Sequence, residues 1–165
     1  MWILCGGTME SNKLKWCLKL KDGLKIMEPN ERLAESYLRE AKASLQRAEK
    51  NFLEGDLLWT TVVVYYAEYY SLYSFLQRIG IKCENHFCSI LATSQLLGNE
   101  MTRTINKHKD KRIDAQYYMK VGGNAQVKQM LAEAKTFAAE FDNLVSNLTN
   151  EQIESHRKKF LNLIE

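Results

Sequence analysis

The stretch from Leu57 to Leu76, LLWTTVVVYYAEYYSLYSFL, decides the fold. It lies between Asp56, a side chain suited to capping a helix N-terminus, and Gly80, a residue suited to ending one, so the expected helix covers Leu57 to Ile79. Apolar residues occupy nearly every face of that helix rather than one stripe. Such a helix sits at the centre of a protein core or crosses a membrane, and about 20 residues is long enough to span a bilayer. Glu68 at its middle and five tyrosines (Tyr65, Tyr66, Tyr69, Tyr70 and Tyr73) decide against the membrane, because polar groups in hydrocarbon are costly without partners. The helix is therefore read as the centre of a core. Glu68 and the tyrosine hydroxyls are expected to find buried partners, since each one left unpaired costs about 1–3 kcal/mol.

The neighbours on both sides read as helices that cover it. Asn30 caps the first of these, in which Leu33, Tyr37, Ala41, Leu45, Ala48 and Phe52 recur at intervals of three or four until Gly55. A further helix is expected over Glu84 to Leu97, closed by Gly98, and a polar, basic one from Glu100 to about Tyr117. Gly122 and Gly123 break the chain and Asn124 recaps it. Val127, Met130, Leu131, Ala134, Phe137, Ala138, Phe141, Leu144 and Val145 then form a long apolar stripe. Thr149 and Gln152 make a capping-box pair for a last helix through Leu161. Upstream, Leu14, Trp16, Leu18 and Leu20 alternate with lysines, Asp22-Gly23 suits a two-residue turn, and Leu24 and Ile26 resume the alternation. That pattern predicts a β-hairpin over 13–27. The expected fold class is all-α: an antiparallel up-and-down helical bundle of four main helices plus a C-terminal helix over 28–165, with a short N-terminal β-hairpin and a flexible terminus over 1–12.

Composition sets outer limits on this reading. The chain has 165 residues, 45% apolar and 26% charged, with a single proline, which suits one globular domain and excludes a disordered or collagen-like chain. Cys5, Cys17, Cys83 and Cys88 could pair in three ways. Because nothing in the sequence reads as a secretory leader, reduced thiols and a cytoplasmic location are expected.

Motifs for chemistry are few. Cys83-x-x-His86-x-Cys88 lacks the second half of a zinc site, and no glycine-rich phosphate loop is present, so no metal and no cofactor are expected. A formal net charge of +3 is too small for wholesale coating of nucleic acid and points to a local patch. That patch is the basic helix, with Arg103, Lys107, His108, Lys109, Lys111 and Arg112, followed by Tyr117 and Tyr118. Cations attract a phosphate backbone and tyrosines stack on bases. His108 and Arg112, four residues apart, share a helical face, a pairing that suits metal-independent RNA cleavage in which the histidine moves a proton and the arginine steadies the phosphorane. The alternative for the whole segment is a solvated helix face.

Four groups of residues follow in order: Glu28-Pro29-Asn30-Glu31 with Ala41 to Leu45; Tyr65-Tyr66-Ala67 with Tyr69-Tyr70; Gly80-Ile81-Lys82 leading to His86; and Arg112-Ile113-Asp114-Ala115-Gln116-Tyr117. This succession, over roughly residues 28–145, resembles the HEPN (higher eukaryotes and prokaryotes nucleotide-binding) family, and more closely its small stand-alone archaeal and bacterial members. The resemblance implies a homodimeric helical bundle that binds nucleotide or RNA, often paired with a minimal nucleotidyltransferase as a toxin–antitoxin module. Active relatives cleave RNA through an Arg-x(4–6)-His motif. Arg112 matches the arginine, but Tyr117 and Tyr118 stand where the histidine would be. His86 is similar to a histidine present after the second helix in such members, and Tyr117 or Tyr118 would be the acceptor if a partner nucleotidyltransferase modifies this chain. The expected function is a phosphate-binding module without its catalytic histidine. An endoribonuclease toxin using Arg112 and His108, or a structural dimerisation protein, are the alternatives.

Overall fold

The computed structural model describes residues 6–165 of the chain. Their order is α1 (Gly6–Lys19), β1 (Lys25–Ile26), α2 (Glu31–Leu53), α3 (Leu57–Arg78), β2 (Ile81–Lys82), α4 (His86–Leu97), a 3-10 turn (Asn99–Thr102), α5 (Arg103–Tyr118), α6 (Asn124–Ser146) and α7 (Asn150–Ile164). The fold is all-α, with one two-stranded antiparallel sheet among the described residues.

α3 is the centre, as its composition requires. Asp56 Oδ1 accepts from the Trp59 amide at 3.0 Å and starts the helix. Fifteen of its 22 residues are buried, and α2, α4, α5 and α6 all pack on it. Its hydroxyls do not burden the core: Thr60, Thr61 and Ser71 each donate to the carbonyl one turn back, and Ser74 donates to that of Ser71. Asn30 caps α2 through the Leu33 amide at 2.9 Å. The buried face of α2 is Ala34, Leu38, Ala41, Ser44 and Ala48; Ala41 and Ala48 are as expected, while Tyr37, Leu45 and Phe52 are half-buried and Leu33 is left exposed. Small alanines at the contact let α2 approach α3 closely. α6 buries the stripe from Val127 to Val145 as read, with Leu144 at its edge. The Thr149–Gln152 capping box opens α7, whose Phe160 and Ile153 reach the core.

The N-terminal hairpin is corrected. Residues 13–19 belong to α1, and β1 pairs with β2, Lys25 with Lys82 and Ile26 with Ile81. Leu14 and Cys17, at helical spacing, are fully buried while Trp16 is exposed, so burial follows the helical period and not the alternation. The lysines between them favour helix as well. Asp22-Gly23 does turn the chain, but at the end of α1. The Leu24 amide donates to Cys17 O at 3.0 Å and the Gly23 amide to Leu20 O at 3.2 Å, and a Cβ at Gly23 would sit 1.7 Å from Cys17 O. Only glycine fits there.

The flexible terminus expected over 1–12 is likewise revised. Residues 1–5, with Cys5, lie outside the described residues, whereas residues 6–12 form the start of α1. Gln95 Nε2 donates to Glu10 Oε2 at 2.6 Å and Ser11 Oγ donates to Leu163 O at 3.4 Å. Cys17 and Cys88 form a disulfide closing 71 residues of sequence, and Cys83 is a buried thiol. Reduced thiols were expected at both bonded positions. No helix among the described residues is long and apolar enough to cross a membrane.

Candidate functional site

The site is built on a tyrosine ladder. Tyr65, Tyr69 and Tyr73 recur every four residues along one face of α3, and each hydroxyl meets the start of α4 or the segment that leads into it. Tyr65 Oη lies 2.8 Å from His86 Nδ1, Tyr69 Oη lies 3.1 Å from Ser89 Oγ, and Tyr73 Oη accepts from the Cys83 amide at 3.0 Å. His86 also stacks on the Tyr69 ring, centroids 3.8 Å apart and planes 15° from parallel. The segment itself is held from outside. Asp22 O accepts from the Glu84 and Asn85 amides at 2.9 and 3.0 Å, Asn85 Oδ1 caps α4 through the Cys88 amide at 3.1 Å, and the disulfide ties Cys88 to α1.

Arg112 enters from α5. Its guanidinium carbon lies 4.8 Å from the Tyr65 ring centroid and 5.7 Å from that of Tyr66, a cation–π arrangement. Nη1 donates to Gln116 Oε1 at 3.3 Å, while Nε is buried with no hydrogen-bond partner. Among the described residues no carboxylate pairs with this guanidinium.

Charge states follow from these contacts. Burial, helped by the Arg112 charge, pulls His86 down to about 4, so its imidazole is neutral at pH 7. Burial pushes Tyr65 up to about 12, against the lowering effect of Arg112, so the phenol keeps its proton. At neutral pH the cluster holds one permanent cation, one neutral imidazole and one neutral phenol. It is complementary to an anion that can accept hydrogen bonds.

The expected pairing of His108 with Arg112 on an open face is not formed. His108 is fully buried, with Nδ1 2.6 Å from Glu68 Oε1 and Nε2 2.8 Å from Glu133 Oε2. It is the partner that Glu68 required. Burial opposes a charge on this ring, but the bonds to Glu68 and Glu133 outweigh it and raise its pKa. Burial pushes Glu68 up to about 7 against the pull of His108. Both imidazole nitrogens are engaged, so this histidine has no free valence for a substrate.

The basic helix divides in the same way. Lys107 bonds to Glu133 at 3.2 Å and Arg103 to Glu100. Lys109 lies over the Phe87 ring at 5.8 Å, and Lys111 is half-buried. Tyr117 and Tyr118 are exposed at the end of α5, with Lys120 over the Tyr118 ring at 5.9 Å. Of the residues singled out in the sequence, the structure brings together His86 and Arg112. It adds Tyr65, Tyr66 and Gln116, which the sequence reading did not place in a site. Gln116 carried a signal, one helical turn beyond Arg112; Tyr65 and Tyr66 lie on another helix, and no local spacing links them to Arg112. The Cys83-x-x-His86-x-Cys88 run is not a metal centre, because Cys88 is bonded to Cys17 and His86 faces Tyr65. Among the described residues no group of three or more histidines, cysteines and carboxylates has metal-holding geometry.

No protein-family model, curated protein or solved structure matches the chain.

Proposed function

We propose that the Arg112 cluster binds the phosphate of a nucleotide or RNA, and that the chain is a HEPN-like binding module built as an up-and-down helical bundle and acting as a homodimer, with a minimal nucleotidyltransferase as its partner. One observation carries the reading: a guanidinium with a buried, unpartnered Nε, unpaired with any carboxylate of the described residues, beside a neutral His86 and a neutral Tyr65. Arg112 is half-buried; its buried Nε–H lacks a hydrogen-bond partner and its charge lacks a counter-charge, a cost that an anionic ligand would offset. Calorimetry with nucleoside phosphates and short RNA tests the reading. Arg112→Ala is expected to weaken binding by at least about tenfold, as for a lost charge-assisted hydrogen bond. Equal binding, or none, in both proteins overturns it.

A second reading, metal-independent RNA cleavage, draws support from the imidazole of His86 and the guanidinium of Arg112 meeting the same side chain, Tyr65. Here His86 replaces His108 as the group that would accept the 2′-hydroxyl proton, with Arg112 stabilising the charge that develops on phosphorus-bound oxygens. Labelled RNA incubated with the protein in EDTA decides it: cleavage lost in His86→Gln supports the reading, and intact RNA at high protein concentration ends it.

A further inference from the structure

Resting on the anion-binding reading of Arg112, we infer that Trp16 and Phe87 form a base-stacking subsite, so that the ligand is a single-stranded nucleic acid with a phosphate on Arg112 and a neighbouring base on these rings. Of the rings that touch Arg112 or His86, Tyr65 and Tyr69 are too buried to take a base, at 0% and 6% exposed, and Tyr66 is half-buried. Trp16 and Phe87 are 50% and 42% exposed, and they meet edge to face with centroids 6.3 Å apart. They are also held in place. The residues that follow them, Cys17 and Cys88, are joined by the disulfide, and Phe87 lies in the first turn of α4 behind the Asn85 cap. With their backbone anchored before binding, the two rings need less ordering when a base stacks on them.

Charge completes the subsite. Lys109 Nζ lies 5.8 Å from the Phe87 centroid and one turn of α5 before Arg112, so the two cations share a side of that helix. The order along the surface is thus a phosphate-type position at Arg112 and His86, then an aromatic position at Phe87 and Trp16 flanked by Lys109. Alternating cation and exposed ring is the pattern that tracks a single strand without reading its sequence. Tyr117 and Tyr118 are exposed too, but no contact joins them to Arg112 or His86.

The test is fluorescence anisotropy of the full-length, oxidised protein with a labelled short oligouridylate and with the matching abasic ribose-phosphate oligomer. The wild type is expected to bind the oligouridylate more tightly than the abasic strand. Trp16→Ala with Phe87→Ala is expected to lower oligouridylate affinity about five- to hundredfold, the range for one lost base stack, and to leave abasic binding unchanged. Trp16→Tyr with Phe87→Tyr, which keeps two rings, retains most of the affinity and guards against loss through misfolding. Equal oligouridylate binding by the alanine variant and the wild type overturns the subsite, as does a wild type that does not distinguish the two strands. A changed oligomeric state by light scattering with unchanged binding also overturns it and marks a self-association surface. If the aromatic variant loses binding while Arg112→Ala keeps it, the subsite stands and the anion reading of Arg112 fails. If Arg112→Ala weakens both strands equally while the aromatic variant matches the wild type, the reverse holds.

Discussion

His86 and His108 show how one residue type takes opposite charge states within one bundle. His86 faces aromatic rings and a guanidinium and is neutral; His108 faces two carboxylates and is raised. The consequence for His86 has a definite sign. The unfolded imidazole titrates near 6.5 and the folded one near 4, so in that window the unfolded chain binds more protons. Its contribution to stability is complete above pH 6.5 and is lost as the pH falls toward 4. His86→Gln is expected to flatten the rise of unfolding free energy between about pH 4 and 6.5, measured by urea titration at a series of pH values. A slope equal to that of the wild type would contradict a neutral His86. Residue identity pointed to Arg112 and His86 but not to their sharing Tyr65 and Tyr66, because 26 positions of chain separate them. His108 was misread for a simpler reason. Spacing of four places two side chains on one side of a helix and says nothing about how deep each lies.

At the scale of elements, α1 shows two periodicities in competition. The lysines that alternate with Leu14, Trp16, Leu18 and Leu20 fit a strand on paper, yet Leu14 and Cys17 are the residues that bury, and α1 packs on α4 and α7 instead of forming a ribbon. The disulfide makes this docking covalent at the point where α4 presents His86 and Phe87. Closing a loop of this length removes unfolded-state freedom worth roughly 2–4 kcal/mol. Cys17→Ser with Cys88→Ser, or reduction by a dithiol, is expected to lower the stability by that amount and to speed amide hydrogen exchange in α1 while α3 stays protected. Exchange in α1 that is the same in oxidised and reduced protein would show that the bond adds nothing to its docking. The caps of α2, α3 and α7 were legible because they rest on side chains within three residues of each other. The pairing of cysteines was not, since it depends on where two distant helices come to rest.

At the scale of the whole molecule, the Glu68–His108–Glu133 line joins α3, α5 and α6 through the core. Removing the middle member leaves Glu68 buried without a partner, which for a buried ion pair costs about 3–5 kcal/mol. His108→Leu is expected to lose about that much unfolding free energy, and Glu68→Gln in the same chain to recover part of it. Additive losses in this double-mutant cycle would show that the two groups do not interact. The central place of α3, the all-α class, the starts of α2, α3 and α7 and the need for a partner at Glu68 were all determined by the sequence, because periodicity, capping and the cost of burying a charge act over a few residues; the cap expected at Asn124 does not form, since Gly123 precedes α6 without a side-chain bond. Only the tertiary structure decided which residue satisfies Glu68, that residues 13–19 join a helix, and that Arg112 faces His86 and Tyr65 instead of His108. Each of these is a contact between segments far apart in the chain, and helix packing, not local pattern, selects it.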